Sequence, residues 1–387
     1  MRILHIMFTG RFTEGMSYQE NLLPKFHAKD GHKVTMLTTC YECDNTGETC
    51  YAPPIDKIMS NGVRLIRMNY HKIINNFITN KIRKVDGVYQ LIKRLLPDII
   101  FFHGPQSVEL LTVVKFIKNN PEIRLFIDSH ADFSNSASNF LSLYILHKIF
   151  YKYIAKKAER YTSMFYGVLP ARVDFLINIY KIPKTKCKLL VMGADDEEVI
   201  NVRNNNVREQ IRRRFRFSAD DFVIITGGKI DSAKAQTLFL LQALQSLNIS
   251  KIKLLIFGSI ASELKEKLLS YVDNNKIFYI GWIKSEEVYG YYAASDLAVF
   301  PGRHSVFWEQ AVGTGIPCFF KYWKGATHVD VGGNCKFLYT DQMEEIKIAL
   351  EDLINNPDSY LYMKKIAEER GIKKFSYKEI SRKAIQF

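Results

Sequence analysis

Apolar residues in this chain fall into short, nearly continuous runs separated by longer stretches where they recur every three or four positions. The runs at 3–8, 33–39, 63–68, 98–103, 125–130, 163–168 and 188–192 predict strands covered on both faces. The stretches 18–29, 89–96, 108–119, 141–158 and 171–179 predict the helices between them. The pattern then restarts, with strands at 222–226, 252–257, 277–280, 297–300, 318–320 and 336–338 and helices at 237–247, 262–272, 285–294 and 343–354. Such alternation predicts two doubly wound, Rossmann-like α/β domains. Their boundary falls near 195–203. Before the second domain, 203–216 holds Arg203, Arg208, Arg212, Arg213, Arg214 and Arg216 and predicts an exposed helix.

The segment 300–317, FPGRHSVFWEQAVGTGIP, predicts a strand–loop–helix corner. Pro301-Gly302 breaks the strand and Ser305 is placed to N-cap the helix. Gly313 and Gly315 close it, and Pro317 forbids its continuation. Ser305, Glu309 and Gly313 share one polar face, while Phe307, Trp308, Ala311 and Val312 pack. An acid behind an anion-attracting helix N-terminus suits a ligand with phosphates and hydroxyls, such as a sugar nucleotide.

Other candidate chemistry sits after strands, where open α/β sheets bind ligands. Gly227-Gly228-Lys229 and Lys234 place two cations five residues apart, able to converge on a diphosphate. Gly258 and Gly281-Trp282-Ile283 follow two further strands; Trp282 either stacks on a base or simply packs. The loop 9–17 carries Gly10 and Gly15 without the dinucleotide spacing G-x-G-x-x-G, so it is either a ligand-approach loop or a plain turn. His130 ends a strand and faces a cleft between the halves, or is a structural histidine.

Charge is unevenly spread. Residues 1–190 hold 27 Lys and Arg against 15 Asp and Glu, whereas 191–387 hold 27 against 25. The first half therefore expects an anionic partner: nucleic acid, lipid headgroups or a phosphorylated substrate. The stretch 141–157 interleaves Lys148, Lys152, Lys156 and Lys157 with aromatic and aliphatic residues, as a helix resting on an anionic bilayer would. A core helix with a solvated lysine face is the alternative. No stretch is long enough to cross a membrane, and 1–10 reads as a strand, not a signal peptide. Six cysteines without a framework spacing fit a reducing compartment. Cys40, Cys43 and Cys50 lack a nearby fourth ligand for zinc.

In this order the motifs resemble the retaining glycosyltransferase family 4, of the GT-B fold. The likeness runs through Gly31-His32-Lys33-Val34-Thr35, the segment 97–104 (PDIIFFHG), Asp128-Ser129-His130, Gly193-Ala194-Asp195, Gly228-Lys229 with Lys234, the segment 291–296 (YYAASD), Glu309-Gln310-Ala311 with Gly315-Ile316-Pro317, and Phe375-Ser376-Tyr377. The resemblance implies an acceptor-binding domain over 1–197 and a nucleotide-sugar domain over 198–364, facing a cleft. A last helix, about 365–387, would return to the first domain. Lys229 and Lys234 would hold the diphosphate, Glu309 the ribose, and His130 would sit near the transferred sugar, with Gly15, Gly258, Trp282 and Ile283 lining the donor. No metal or other cofactor is implied. One departure stands out: the family's first glutamate has no counterpart, and Pro301 occupies its place. His304, with the backbone of Ser305 and Val306, is left to grip the donor sugar. The implied activity is hexose transfer from a nucleoside diphosphate sugar, with uridine as the family's base. The acceptor would be lipid-linked or a glycan, in bacterial surface-polysaccharide assembly on the inner face of the cell membrane. The alternatives are a nucleotide-sugar epimerase of the same fold and, more remotely, a basic nucleic-acid binder. No RNA- or DNA-binding motif supports the last, so nucleic acid is not an expected partner.

Overall fold

The computed structural model describes residues 1–44 and 47–386. It divides into two units. Met1–Glu14, Tyr18–Val191 and the chain from Ile380 onward make the first; Gly15–Ser17 and Met192–Glu379 make the second.

The apolar runs of the first unit become β1 (Arg2–Met7), β2 (Lys33–Thr39), β6 (Arg64–Met68), β7 (Ile99–His103), β8 (Arg124–Ser129), β9 (Thr162–Gly167) and β10 (Cys187–Leu189). Three strands carry no buried apolar run and are not legible from hydrophobic pattern: the hairpin β3 (Tyr41–Cys43) and β4 (Thr49–Tyr51), and the fully exposed β5 (Ile55–Ile58). The sheet order is β10-β9-β8-β7-β1-β2-β6-β5. Pairing is parallel except at the edge, where β5 runs against β6. β1 therefore lies between β2 and β7, and the sheet's switch point opens beyond His103.

The second unit is a six-stranded parallel sheet. β11 (Phe222–Gly227), β12 (Ile252–Phe257), β13 (Ile277–Gly281), β14 (Leu297–Phe300), β15 (Cys318–Lys321) and β16 (Cys335–Leu338) are ordered β13-β12-β11-β14-β15-β16. Here the switch point lies between β11 and β14, the position where doubly wound sheets take ligands. Both sheets are the predicted doubly wound type.

The chain from Ile380 onward belongs to the first unit, while 365–379 lie with the second. Arg382 grips Asp30 with two bonds of 2.9 and 3.0 Å, and Arg124 donates to the Ile385 carbonyl at 3.3 Å. The helix over 141–158 opens as a π-helix, Ser142–Tyr151, before Lys152–Glu159 continues it as α. Among the described residues no helix is long and apolar enough to cross a membrane.

The basic segment 203–216 departs from the exposed helix expected of it. It contributes to two helices, Asp196–Asn204 and Val207–Arg214, separated at Asn206, whose φ of +53° stops the first from continuing. Arg212 is buried. Its guanidinium donates to Asp296 Oδ2 at 3.2 Å and to the carbonyls of Ala294, Ser218 and Asp221 at 3.2, 2.9 and 2.6 Å. Arg208 meets the other carboxylate oxygen at 2.7 Å. Asp296 also accepts from Val223 N at 2.8 Å, which ties the start of β11 to the same ion cluster. The segment reads as solvated because its partner acid lies more than eighty residues away. We expect Arg212→Ala to destabilise the second unit by about 3 kcal/mol or more, because three carbonyls and a carboxylate lose a shared donor. A shift in the urea midpoint at unchanged slope would measure it.

Candidate functional site

β11 ends at Gly227, which close backbone approach requires to be glycine, as it does Gly258 after the neighbouring strand; Gly228, next in the chain, has a left-handed backbone. A Cβ on Gly258 would lie 2.1 Å from the Gly228 carbonyl oxygen, and one on Gly227 would lie 2.3 Å from that of Phe257. Gly228 has a φ of +104° and donates its amide to Phe257 O at 3.0 Å. The chain then turns through Asp231, whose carboxylate accepts from Ala233 N at 3.1 Å and opens the short 3₁₀ turn Ser232–Lys234. That turn brings Lys234 Nζ to 3.0 Å from the position a Gly228 Cβ would occupy. The corner after β14 closes over it. A Gly302 Cβ would stand 2.8 Å from Lys234 Cα, and Arg303 N donates to Ala233 O at 3.2 Å. Lys234 is thus held between the two loops of the switch point. Burial, offset by Asp231 and reinforced by Arg303, lowers its ammonium to about 8.

The helix after the corner, Phe307–Thr314, differs from its sequence reading. Ser305 does not cap it: the residue at the cap is Val306, which supplies no side-chain bond, and Ser305 Oγ is buried without a hydrogen-bond partner among the described residues. Nor does the helix keep a polar face. Glu309, Gln310 and Gly313 are buried along with Trp308, Ala311 and Val312. The cause is close packing, since a Cβ on Gly313 would meet that of Ala194 at 2.6 Å. Gly315, with φ +83°, is the left-handed C-cap.

Glu309 is fully buried, and its ion-pair partners among the described residues are two histidines. Its Oε1 accepts from His304 Nε2 at 2.8 Å and from His328 Nε2 at 2.9 Å. Its Oε2 has no hydrogen-bond partner among the described residues. Burial alone would raise this carboxyl, but the positive charge and hydrogen bonds of the two imidazoles outweigh it and hold it near 2. His304 therefore spends one ring nitrogen on the carboxylate. His328, from the turn Lys324–Val329, is not legible in the sequence: it lies nineteen residues from Glu309, a spacing that no local pattern marks.

The remaining candidates are distributed unevenly. Gly258 ends the strand beside β11 and joins the site. Lys229 follows Gly228 and is exposed. Val306 leads into the Glu309 helix. Trp282 and Ile283 follow the edge strand β13, two strands away from β11, and Trp282 is largely exposed. Gly15, with φ +77°, groups with the second unit through the short segment Gly15–Ser17. His130 belongs to the first unit, half-exposed, with Nε2 at 3.5 Å from the buried Asp128.

The chemistry these groups offer in the second unit is ordered: a cation between two loops, backbone approach at Gly228, and an acceptor oxygen at Glu309. Glu309 sits below its ordinary value of 4.5, so its stabilising bonds are present above that pH and lost as pH falls towards 2. Replacing either His304 or His328 by alanine is expected to cost about 1–3 kcal/mol at neutral pH, with the deficit shrinking in acid. Denaturant melts at pH 7 and pH 4 check this.

Residues 207–370 match the family described as "Glycosyl transferases group 1". The mannosylfructose-phosphate synthase of Agrobacterium fabrum is 25% identical over 165 residues, 40% of this chain and 36% of that relative's length. Among solved structures, a glycosyltransferase from Rickettsia africae superposes with a TM-score of 0.69 at 14% identity, covering 100% of this chain and 97% of its own. Anabaena Alr3699/HepE, solved in complex with UDP, gives 0.68 at 15% identity over 99% and 98%. The UDP-GlcNAc 2-epimerase of Neisseria meningitidis gives 0.64 at 12% identity over 100% and 99%. These structural likenesses show the GT-B fold of two Rossmann-like domains, and residues 207–370, within the second of them, match the group 1 glycosyl transferases.

Proposed function

We propose that the protein is a retaining hexosyltransferase that needs no metal and takes its sugar from a UDP-sugar. The observation that carries this reading is the convergence of Lys234, Gly228 and Glu309 at the switch point of the second sheet. Lys229 and Lys234 supply the charge that a departing diphosphate requires, with loop amides as further donors. Glu309 Oε2 is an acceptor and suits ribose hydroxyls. Its carboxylate is committed to two imidazoles, which suits binding better than nucleophilic attack. The sugar's bond to the diphosphate breaks as the acceptor oxygen bonds to the same face of the anomeric carbon, so configuration is kept. The acceptor's proton leaves on the diphosphate. The solved complex of Alr3699/HepE with UDP supports uridine as the base.

The acceptor we propose is lipid-linked or a glycan of a bacterial surface polysaccharide, met on the inner face of the cell membrane. The first unit offers a surface suited to it. Leu141, Ile145, Ile149 and Tyr153 recur every four residues along the π–α helix, and all are exposed, at 52, 49, 66 and 55%. Lys148 lies over the Tyr144 ring at 3.8 Å, and Lys152, Lys156 and Lys157 continue the basic flank. An apolar stripe edged by lysines is the chemistry of an interfacial helix. A second reading, nucleotide-sugar epimerase, is favoured by the likeness in fold to the Neisseria enzyme.

With a UDP-hexose and a lipid-linked acceptor, NMR of the product is expected to show transfer with retained anomeric configuration. Lys234→Met and Glu309→Ala should each lower kcat/KM by about 100-fold. Affinity for UDP should fall as pH rises through about 8, as Lys234 loses its proton, and this step should vanish in Lys234→Met. Sugar interconversion without acceptor, and no transfer with it, would select the epimerase.

Sedimentation with vesicles is expected to carry the protein down when they contain anionic phospholipid and not when they are purely zwitterionic. Ile145→Asp with Ile149→Asp should abolish it while leaving UDP binding intact. Sedimentation unchanged by this pair would sink the stripe as the contact.

A further inference from the structure

The proposed transfer makes no use of three histidines buried in the first unit. His5 stands on β1, His27 on the helix Gln19–Lys29 and His103 at the end of β7, with exposures of 0, 1 and 2%. They form one unbranched line. His27 Nε2 lies 2.8 Å from the carbonyl oxygen of Ser381, and its Nδ1 lies 3.0 Å from His5 Nε2. His5 Nδ1 lies 3.0 Å from His103 Nε2, and His103 Nδ1 lies 2.8 Å from Asp128 Oδ2.

Both ends of the line are acceptors. Ser381 presents a carbonyl, and Asp128 Oδ2, which also accepts from Gln19 Nε2 at 3.2 Å, is acceptor-only when the carboxyl is ionised. Four hydrogen bonds need four protons. Each neutral imidazole carries one, so three supply only three. Starting at Ser381, His27 must donate from Nε2, which leaves its Nδ1 to accept from His5. His5 then accepts on Nδ1 from His103 Nε2. A neutral His103 would turn a bare lone pair on Nδ1 towards the carboxylate.

We propose that the line His27–His5–His103 holds one proton more than three neutral imidazoles, and that the buried cation so formed pins Asp128 beneath His130. The three histidines are positioning residues for His130. That last role rests on the function proposed above; the proton count does not.

The charge belongs next to the carboxylate, at the Asp128 end. Burial, with the neighbouring imidazoles, keeps His5 well below its ordinary range. Burial lowers His27 to about 4, only partly offset by the Ser381 carbonyl. Burial would raise Asp128, but the positive charge of His103 and His130 overrides it and holds the carboxyl below its usual range. Other charged and titratable groups facing the line are His32 and Asp30 beside His27, with Arg382 on Asp30, and His130 beside Asp128. The ring of Phe101 stacks on His5 at 5.4 Å and tilts against His103 at 4.9 Å, closing that side to water.

The test is long-range ¹H–¹⁵N NMR of the full chain labelled with ¹⁵N-histidine, at pH 7.5. One of the three buried imidazoles is expected to carry protons on both nitrogens. Three neutral rings would overturn the proposal, because the missing proton would then sit on Asp128. In Asp128→Asn the amide can donate to His103 Nδ1, so the cation should disappear with circular dichroism unchanged. A cation that persists there would also overturn the count. Positioning has its own readout: neutral His130 should favour the Nε2–H tautomer in the parent and lose that preference in Asp128→Asn. An unchanged tautomer mixture would remove the positioning role. Transfer by Asp128→Asn should fall about 100-fold, as for a misplaced group. A parent that transfers no sugar would reject the proposed function and leave the NMR result standing.

Discussion

A carboxylate taken out of water must be met at once by donors or positive charge, and three such groups organise this protein locally. Asp296, just before β14, draws Arg208 and Arg212 and so fastens a basic helix to the second sheet. Glu309 draws two imidazoles, one from the corner before its helix and one from the turn after β15. Asp128, at the end of β8, sits at the head of the line of histidines. In each case the acid fixes the conformation of a segment distant in sequence. Losing either partner leaves a buried charge unpaired, which costs more than the pair's net contribution to stability. These clusters are therefore local constraints on geometry more than sources of stability.

The second constraint is backbone proximity. Gly258 against Gly228, and Gly302 against Lys234, leave no room for side chains. The result is that a lysine is pressed between two loops and partly stripped of water. Stripping costs the cation solvation and lowers its proton affinity, which keeps it ready to pair with an anion. Phe307 completes the arrangement from below, its ring 4.9 Å from that of Phe257 and its carbonyl held by Tyr292 at 3.1 Å. Lys234 and Glu309 are thus placed by the same helix start and the same strand pair.

Much of this was legible in the sequence, and the parts that were not share a cause. The parallel strands of both sheets follow from apolar runs, and so does the placing of Gly228 and His130 just after strands, of Lys234 in the turn that follows β11 and of Glu309 in the helix that follows β14. The runs fail where burial is absent, as in the exposed β5 and the polar hairpin of β3 and β4. They fail again where a residue's environment is made by distant chain. Arg212 reads as solvated until Asp296 is placed beside it, and Ser305 reads as a cap until the helix begins two residues later. His328, His5 and His27 carry no local motif at all. Pattern reports which face is buried, whereas polar pairing inside the core depends on contacts that no spacing rule encodes.

The absence of an acid at Pro301 takes on meaning in this light. Two carboxylates near one corner would compete for the same donors. Here the corner instead provides His304, whose bond to Glu309 leaves one carboxylate oxygen committed and the other available as an acceptor. Under the function proposed above, a phosphate, itself an acceptor, would be repelled there and attracted to Lys234. A hydroxyl would find an acceptor at Glu309 and have little to gain from an ammonium engaged by phosphate. The two groups would then sort a ligand end to end by its hydrogen-bonding polarity. That polarity follows from which atoms are left unsatisfied by the fold.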